Sequence, residues 1–248
     1  MSEDLAYPGG LVRLFVGAAL ADGARVDFAE GQAHYLLNVM RARTDDRVRL
    51  FNGRDGEWLA RLEAGKKRAS AVCERQVAKQ GDVPDLWLAF APLKRVPADY
   101  LAQKATELGV RVLQPVITRR TIVSRVNLER LRANAVEASE QSGRTTIPEI
   151  RSPIPLARLL ASWAPERKLI YCDEGGDAPP IGAALARERF SSCGFLTGPE
   201  GGFDEEERRL VRNCPFAIPV SLGTRILRAD TAALAALAVF QALNGDWR

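Results

Sequence analysis

The feature that most constrains this chain is a short apolar strand that breaks into a glycine turn and continues as a helix, twice in succession. The first copy runs from Phe195 to Glu207 (FLTGPEGGFDEEE). The second has a strand at Ala217 to Ser221, a turn at Gly223 and then a long apolar helix. Adjacent strand ends that carry glycine loops can wrap backbone N–H and C=O groups around a small ligand, because glycine allows φ > 0 and a close approach of the main chain. The double loop therefore predicts a cofactor site.

From Gly81 onward, apolar strands alternate with helices, which predicts a mostly parallel sheet covered by helices. The first strand is expected at Asp85 to Ala91, and the first helix begins at Pro97 and ends at Gly109. The further expected elements are a strand at Val112 to Val116, a helix at Leu128 to Gln141 capped by Asn127, a helix near Leu156 to Trp163, a strand at Lys168 to Cys172 and a helix near Ile181 to Arg189.

The stretch before Gly81 is predicted to be mostly β, with one helix at Glu30 to Met40. Its strand candidates are Leu11 to Val16, Arg47 to Phe51, Trp58 to Leu62 and Ala69 to Val77, with hairpin chemistry at Asn52-Gly53 and Asp55-Gly56. The change of texture near Gly81 to Pro84 predicts two domains, residues 1–80 and residues 81–248. The fold class is therefore α/β, with a small β-rich domain in front of the main one.

Composition argues against a metalloprotein and against a secreted or membrane protein. The four cysteines lie far apart without a CxxC pair and there is one histidine, so a metal site has few ligands to draw on, and free buried thiols are expected. The start of the chain does not resemble a signal peptide, and the apolar run Thr231 to Leu243 is too short to span a bilayer. A cytoplasmic location is the default expectation.

Positive charge is concentrated between Lys94 and Arg132, where nine Lys or Arg residues stand against three acids. Such a block suits a polyanionic partner such as RNA. A solvated surface explains the same charges equally well.

Several catalytic motifs are missing. No GxGxxG turn lies near the start of the second domain, no GxxxxGK[ST] phosphate loop occurs, and no GxSxG elbow is present. What remains is a glycine-lined pocket with carboxylates and arginines at its rim.

The charged residues of the two loops divide into structural and chemical candidates. Asp204 and Glu207 are predicted to form a capping box at the head of a helix. Glu200 lies inside the glycine turn, before the cap, where a carboxylate has no structural reason to be. Asp230 is predicted to cap the final helix, and Arg228 is interpreted as a ligand contact or as half of a local salt bridge.

These residues carry a family resemblance. LTGPEGGFDEEE and LGTRILRADTAALAAL resemble the signature of the RsmE family, SPOUT-class enzymes that methylate N3 of a uridine in 16S (small-subunit) ribosomal RNA. Upstream, HYLLNVMRARTDDRVRLFNGRDGEW, DYLAQKATELGV and EASEQSGRTTIPEI resemble family segments in the same order, so the resemblance covers nearly the whole chain. One departure is Asp230, which stands where the family commonly has Glu.

The resemblance implies a PUA-like N-terminal β-barrel that binds RNA and a C-terminal SPOUT domain with a trefoil knot. It also implies S-adenosylmethionine as methyl donor, the small ribosomal subunit as partner, and a homodimer, with neither membrane nor metal. The implied cofactor-binding residues are Leu196, Thr197, Gly198, Glu200 and Gly201 in the first loop and Leu222, Gly223, Ile226, Leu227 and Arg228 in the second.

The catalytic candidates are Arg228, Asp230 and Glu200. Arg228 would stabilise negative charge on the uracil carbonyls, and one of the two carboxylates would help the N3 proton to leave. The RNA-binding candidates are Arg41, Arg43, Lys66, Lys67, Arg68, Lys94, Lys104, Arg119, Arg120 and Arg125. Two alternatives stay open at this point: a SPOUT enzyme that acts on tRNA or a ribose 2′-hydroxyl, and a non-catalytic RNA-binding homologue.

Overall fold

A computed structural model of the chain describes residues 6–7, 10–123, 125–175 and 177–247. The chain forms two compact units: Met1–Asp82 together with Ser139–Ile147, and Val83–Ala138 together with Pro148–Arg248. The inclusion of residues 139–147 in the first unit was not foreseen from the sequence. The domain limits 1–80 and 81–248 stay a prediction.

The first unit is built on a mixed five-stranded sheet. The strands of the whole unit are β1 (Ala6–Tyr7), β2 (Gly10–Leu11), β3 (Arg13–Phe15), β4 (Arg25–Asp27), β5 (Arg47–Phe51), β6 (Glu57–Ala64) and β7 (Ala69–Ala78). The sheet order is β3-β5-β6-β7-β4, and β1 forms a separate antiparallel pair with β2. The strands expected from β5 to β7 are confirmed, whereas β4 was missed because three residues carry too little alternation to be recognised.

The helix of the first unit changes its winding halfway. Residues Glu30–His34 form α1, and Tyr35–Val39 continue as a π-helical turn. The wider turn is closed by the Met40 N–H, which donates to the Tyr35 carbonyl at 2.9 Å. The prediction of one α-helix to Met40 is therefore wrong for its second half, since hydrophobic spacing alone does not distinguish an i→i+5 bond from an i→i+4 bond.

The second unit is built on a fully parallel sheet. Its strands are β8 (Asp85–Phe90), β9 (Val112–Ile117), β10 (Glu149–Ile150), β11 (Ile154–Pro155), β12 (Lys168–Cys172), β13 (Ser192–Thr197) and β14 (Ala217–Val220). The order is β10-β9-β8-β13-β12-β14, and β11 pairs with β9. The expected parallel sheet is confirmed, and its strands are apolar runs because both faces are covered.

The helices agree with the sequence in place more than in length. They are α2 (Arg95–Glu107), α3 (Leu128–Ser142), α4 (Leu156–Ala161), α5 (Ile181–Leu185), α6 (Glu205–Arg212) and α7 (Ala229–Leu243). The Asn127 cap is confirmed, because its Oδ1 accepts the Arg130 N–H at 3.0 Å. Helix α5 ends earlier than predicted, where the Asn244 side chain donates to the Leu185 carbonyl at 2.7 Å.

Two apolar clusters cover the two faces of the parallel sheet. On one face Phe240 of α7 meets Phe195 edge-on, with ring centroids 5.6 Å apart. On the other, Phe203 meets Tyr171 at 5.2 Å. Each such burial contributes about 1.5–3 kcal/mol. With both faces covered, the carboxyl ends of the strands are the edge where loops can hold a ligand.

The structure tests the expectations about free thiols, membrane-spanning helices and metal sites. All four cysteines are free, with Cys73, Cys172 and Cys193 buried and Cys214 partly exposed. Among the described residues, no helix has the length and apolarity needed to cross a membrane, and no cluster of three or more His, Cys, Asp or Glu could hold a metal ion. Strand order does not determine how the chain is threaded, so the trefoil knot stays a prediction.

Candidate active site

The two glycine loops lie at the same edge of the parallel sheet but not on adjacent strands. Strand β12 lies between β13 and β14, with Tyr171 opposite both Leu196 and Pro219. The expectation of adjacent strand ends is therefore wrong. The strand ends at which the loops begin are two strand spacings, about 10 Å, apart, so a ligand held by both loops would lie across the end of β12.

The first glycine loop, residues 198–203, is held by a bond of its own backbone and by a bond from a neighbouring loop. The Gly202 N–H donates to the Pro199 carbonyl at 2.9 Å. Arg120, in the loop after β9, donates to the Gly201 carbonyl at 2.8 Å. These bonds give the loop a defined shape without a ligand.

The helix that follows this loop is capped as predicted. The Asp204 side chain accepts the Glu207 N–H at 2.8 Å, and Glu207 accepts the Asp204 N–H in return at 3.2 Å. The backbone bond from Glu207 is the main cause that holds the pKa of Asp204 below its ordinary value; burial opposes it, and the guanidinium of Arg119 also lowers the pKa. Glu207 also accepts the Arg119 N–H at 2.8 Å, so the cap anchors the loop after β9.

The predicted cofactor residues of β13 can offer only backbone atoms. Leu196 is fully buried, and Thr197 is 2% exposed. The Thr197 carbonyl accepts the Ala91 N–H at 3.1 Å, which ties this strand end to β8. Glu200 is exposed, and its carboxylate has no hydrogen-bond or ion-pair partner among the described residues.

The second glycine loop, residues 222–228, has almost no internal bonds. Within the described chain, the backbone groups of residues 222–227 make one hydrogen bond, from the Gly223 N–H to the Ser221 hydroxyl at 3.2 Å. Gly223 has a φ of +104° and open space where a β-carbon would be. Ile226 is fully exposed. Several N–H and C=O groups of this loop are therefore open to a ligand.

Arg228 lies just before the final helix, as expected, whereas Asp230 does not occupy its predicted cap position. The cap of α7 is Arg228, without a side-chain bond, and Asp230 lies in the first turn. The prediction that Asp230 caps the helix is therefore wrong: its Oδ1 accepts the N–H of its neighbour Thr231 at 2.8 Å. Arg228 is exposed and forms no ion pair with any described residue, so the local salt bridge considered for it is absent there.

The end of β12 supplies residues that sequence reasoning missed. Asp173 is buried and contacts Arg208 at 3.3 Å and Arg212 at 2.7 Å from α6. The next residue, Glu174, accepts the Phe203 N–H at 2.8 Å and so supports the first glycine loop. The signal was present, because an acidic, glycine-containing turn (Asp-Glu-Gly) follows a predicted buried strand here as well.

Cys172 is the last residue of β12, the strand between the two that carry the glycine loops, but it is not suited to act as a nucleophile. Burial, with a smaller effect from Glu174, raises the pKa of the Cys172 thiol to about 12. Because the thiolate is the reactive form, this side chain stays inert at neutral pH. The chemistry of the site therefore falls to exposed carboxylates and arginines.

Three of the RNA-binding candidates in the second unit are engaged within the protein. Arg119 pairs with Asp204 and Glu206, Arg120 holds Gly201, and Lys104 pairs with Glu107 at 2.7 Å. The side chains of Lys94 and Arg125 are exposed and have no ion-pair partner among the described residues. These last two are the candidates of this unit best able to contact phosphate.

The RNA-binding candidates of the first unit lie in two exposed segments. Lys66, Lys67 and Arg68 form the turn between β6 and β7, where the Gly65 N–H donates to the Arg68 carbonyl at 2.9 Å. Arg41 and Arg43 follow the π-helical turn. None of these five side chains forms an ion pair with a residue that the structure describes.

Comparison with known proteins begins with two family matches. The family described as RNA methyltransferase domain matches residues 80–241, and the family described as RNA methyltransferase PUA domain matches residues 28–73. The first match takes in both glycine loops, and the second lies within the β-rich unit.

Full-length relatives give the same result. The chain is 33% identical to ribosomal RNA small subunit methyltransferase E of Rickettsia conorii over 94% of this chain and 96% of the relative. It is 34% identical to the protein of the same name in Synechocystis, over 93% and 77%. A crystal structure of ribosomal RNA small subunit methyltransferase E from Neisseria gonorrhoeae, bound to S-adenosyl methionine, has a TM-score of 0.86 at 33% identity, over 95% of this chain and 99% of that one.

Proposed function

Because the chain belongs to the RsmE family of small-subunit ribosomal RNA methyltransferases, we propose that it transfers a methyl group from S-adenosylmethionine to N3 of a uridine in 16S ribosomal RNA. The observation that carries the proposal is the pair of glycine loops at one sheet edge, in a chain similar over nearly its full length to a structure bound to S-adenosyl methionine. The fold class is an N-terminal PUA-like domain with a C-terminal SPOUT α/β domain.

The loops fit such a cofactor on their own geometry. Residues 222–227 leave backbone donors and acceptors unpaired within the described chain, and an adenosine needs such groups to be recognised. Leu222, Gly223, Ile226, Leu227 and Arg228 would form one wall of the pocket, and Leu196, Thr197, Gly198, Glu200 and Gly201 the other. When bound, the cofactor supplies an electrophilic methyl group on a sulfonium.

The chain's own task is to position the uridine and to manage the N3 proton. Arg228 is exposed and unpaired among the described residues, so its guanidinium is available to the uracil carbonyls. Charge stabilisation there makes the imide proton easier to lose. Asp230 and Glu200 are the two carboxylates that could accept it. Asp230 lies two residues from Arg228 in the first turn of α7, whereas Glu200 lies in the opposite loop.

RNA binding follows from the PUA-like domain and the unpaired cations. Arg41, Arg43, Lys66, Lys67, Arg68, Lys94 and Arg125 would contact phosphates, with Lys104, Arg119 and Arg120 available only if their ion pairs or hydrogen bonds open. The target base must leave its stack, which favours loosely paired RNA. The assembled small subunit as substrate, a homodimer and a cytoplasmic location belong to the proposal.

Nucleoside mass spectrometry tests the function directly. Small ribosomal subunits from a strain that lacks the gene are incubated with the purified protein and S-adenosylmethionine, and the digested RNA is examined. We expect one new 3-methyluridine per subunit. A methylated ribose, methylation of tRNA alone, or tight cofactor binding without turnover would each contradict the proposal.

A further inference from the structure

A cavity separate from the two glycine loops lies beside the end of β8. It has a volume of about 240 Å3. Phe90, Leu93, Ala98, Val126 and Leu131 form its apolar wall. Small-molecule pockets usually measure about 300–1,000 Å3, so this cavity suits one planar base rather than a whole cofactor. We call it the Leu93 pocket.

The charges around the Leu93 pocket leave it positive. Its one acid, Asp99, is bound by Arg130, whose Nε donates to a carboxylate oxygen at 2.7 Å, and by Asn134 at 3.1 Å. The remaining cations at the rim, Lys94 and Arg125, have exposed side chains without an ion-pair partner among the described residues. The Asp99–Arg130 ion pair has no net charge, and Lys94 and Arg125 add two unpaired positive charges. The pocket therefore favours an anionic ligand such as a phosphodiester.

The rim also offers a hydrogen-bond donor for a base. The Oδ1 of Asn127 accepts the Arg130 N–H at 3.0 Å. Its NH2 group is therefore turned away from that bond and has no hydrogen-bond acceptor among the described residues. An amide donor beside two cations matches the carbonyl oxygens of a pyrimidine.

The position of the Leu93 pocket relates it to the proposed active site. Phe90 is the register partner of Thr197, where β13 ends and the first glycine loop begins. Helix α2, whose first turns carry Ala98 and Asp99, also packs against α7, which begins directly after Arg228. The lining of the pocket includes no residue of either glycine loop, so the pocket lies beside the proposed active site, where an RNA strand that reaches the loops would place a neighbouring nucleotide.

From this arrangement we propose that the Leu93 pocket binds one unpaired pyrimidine nucleotide that flanks the methyl-accepting uridine. The base enters between Leu93, Ala98 and Val126, and Lys94 and Arg125 contact its phosphate. Single-stranded RNA is commonly recognised by such insertion of unstacked bases. The inference rests on the proposed function in taking RNA as the ligand and a uridine as the neighbouring, reacting nucleotide.

A matched pair of tryptophan substitutions tests the pocket in the full-length protein. Ala98→Trp fills the cavity, whereas Ala133→Trp places the same side chain at an exposed site on α3. Binding of a fluorescein-labelled oligouridylate and of an oligoadenylate of equal length is measured by anisotropy, with S-adenosylmethionine affinity by calorimetry. We expect Ala98→Trp to weaken oligouridylate binding roughly tenfold or more, and to abolish the preference over oligoadenylate, at unchanged cofactor affinity.

Arg125→Gln gives a second test that does not depend on tolerance of a bulky residue. It should weaken oligouridylate binding and lower the slope of log affinity against log salt by about one. Either of two results would overturn the proposed pocket. The first is that oligouridylate binds Ala98→Trp and Arg125→Gln as tightly as it binds the wild type. The second is that the wild type binds oligouridylate no more tightly than oligoadenylate. If binding depends on Ala98 but ribosomal RNA is never methylated, the pocket stands and the proposed function fails. If the wild type and Ala98→Trp methylate ribosomal RNA equally, the proposed function stands and the pocket fails.

Discussion

The first and second glycine loops follow the same strand-turn-helix plan, yet the protein supports them very differently. The first is held by Arg120, by Glu174 and by the Asp204–Glu207 capping box. In the second, the backbone of residues 222–227 makes one hydrogen bond within the described chain, and the N-cap has no side-chain bond. One loop is completed by the protein, and the other leaves its polar groups for a ligand.

This difference separates two kinds of contribution to the same site. Bonds that exist without a ligand contribute to folding stability and hold a wall in place in advance, which lowers the entropy lost on binding. Unpaired groups contribute little to stability but are available for binding and chemistry. Substitutions that disturb the contacts of the first loop should therefore lower stability, and substitutions of unpaired side chains in the second should lower activity at unchanged stability.

The largest expected effect is on Arg228, in the second loop. Arg228→Ala should lower methylation by roughly 10²–10³-fold, the usual cost of removing one donor that stabilises a developing negative charge. Stability should not change, because the side chain forms no ion pair with a described residue. Turnover on small subunits measures methylation, calorimetry measures the affinity for S-adenosylmethionine, and a thermal melt measures stability. Arg225→Ala, in the same loop, is the control and should have a smaller effect; full activity of Arg228→Ala would remove it from the mechanism.

The next effect is on Gly198, at the start of the first loop. A β-carbon there would lie 2.7 Å from the ring of Phe203, which is 3% exposed and has little room to move. Gly198→Ala should lower the free energy of unfolding by about 1–3 kcal/mol and weaken cofactor binding, as urea denaturation and calorimetry would show. Wild-type stability would mean that the first loop is not tightly packed.

Gly223, in the second loop, is the matched position. Its φ of +104° is strained for alanine, but no atom lies within 4 Å of the added carbon. Gly223→Ala should therefore cost about 1–2 kcal/mol from the backbone alone. A urea midpoint that falls further than that of Gly198→Ala would reverse the comparison.

A smaller effect is expected at Glu174, which supports the first loop from β12. Glu174→Ala removes the acceptor of the Phe203 N–H and should cost about 1 kcal/mol of stability. Glu174→Gln keeps an acceptor oxygen and serves as the control. Equal unfolding midpoints for the two variants would show that the bond does not stabilise the loop.

The smallest effect is a change in pH dependence through Asp204. Its pKa is held below the ordinary 3.8 in the folded protein, so its contribution to stability is complete above the unfolded pKa and is lost as the pH falls through the folded pKa. Asp204→Asn keeps the capping oxygen but cannot titrate. The melting temperatures of wild type and Asp204→Asn should converge as the pH falls below 3.8. A constant difference would exclude Asp204 as a source of acid sensitivity.

Much of the fold was predictable because its signals are local. The strands at Arg47 to Phe51 and Lys168 to Cys172 have the predicted limits, since apolar runs between turn residues mark them clearly. The capping box at Asp204 and Glu207 depends on a spacing of three residues and was also predicted correctly. The prediction that Asp230 caps α7 was wrong, because in sequence an acid in the first turn of a helix resembles an acid at the cap.

The roles of the arginines were not predictable from charge alone. Arg119 and Arg120 are indistinguishable from Arg125 as basic residues, yet they bind the capping box and the first glycine loop. Their partners are more than 80 residues away in the chain. Only pairing in space separates a cation that holds a loop from one that is open to RNA.

The sequence by itself determined the parallel α/β unit, the β-rich unit and two glycine turns able to approach a ligand, because strand periodicity, helix caps and glycine conformation are properties of short segments. Only the tertiary structure decided that β12 separates the two loops, that Glu174 and Arg120 complete the first, and that the second stays open. Those outcomes depend on strand order and on contacts between residues distant in the chain, which no local pattern specifies.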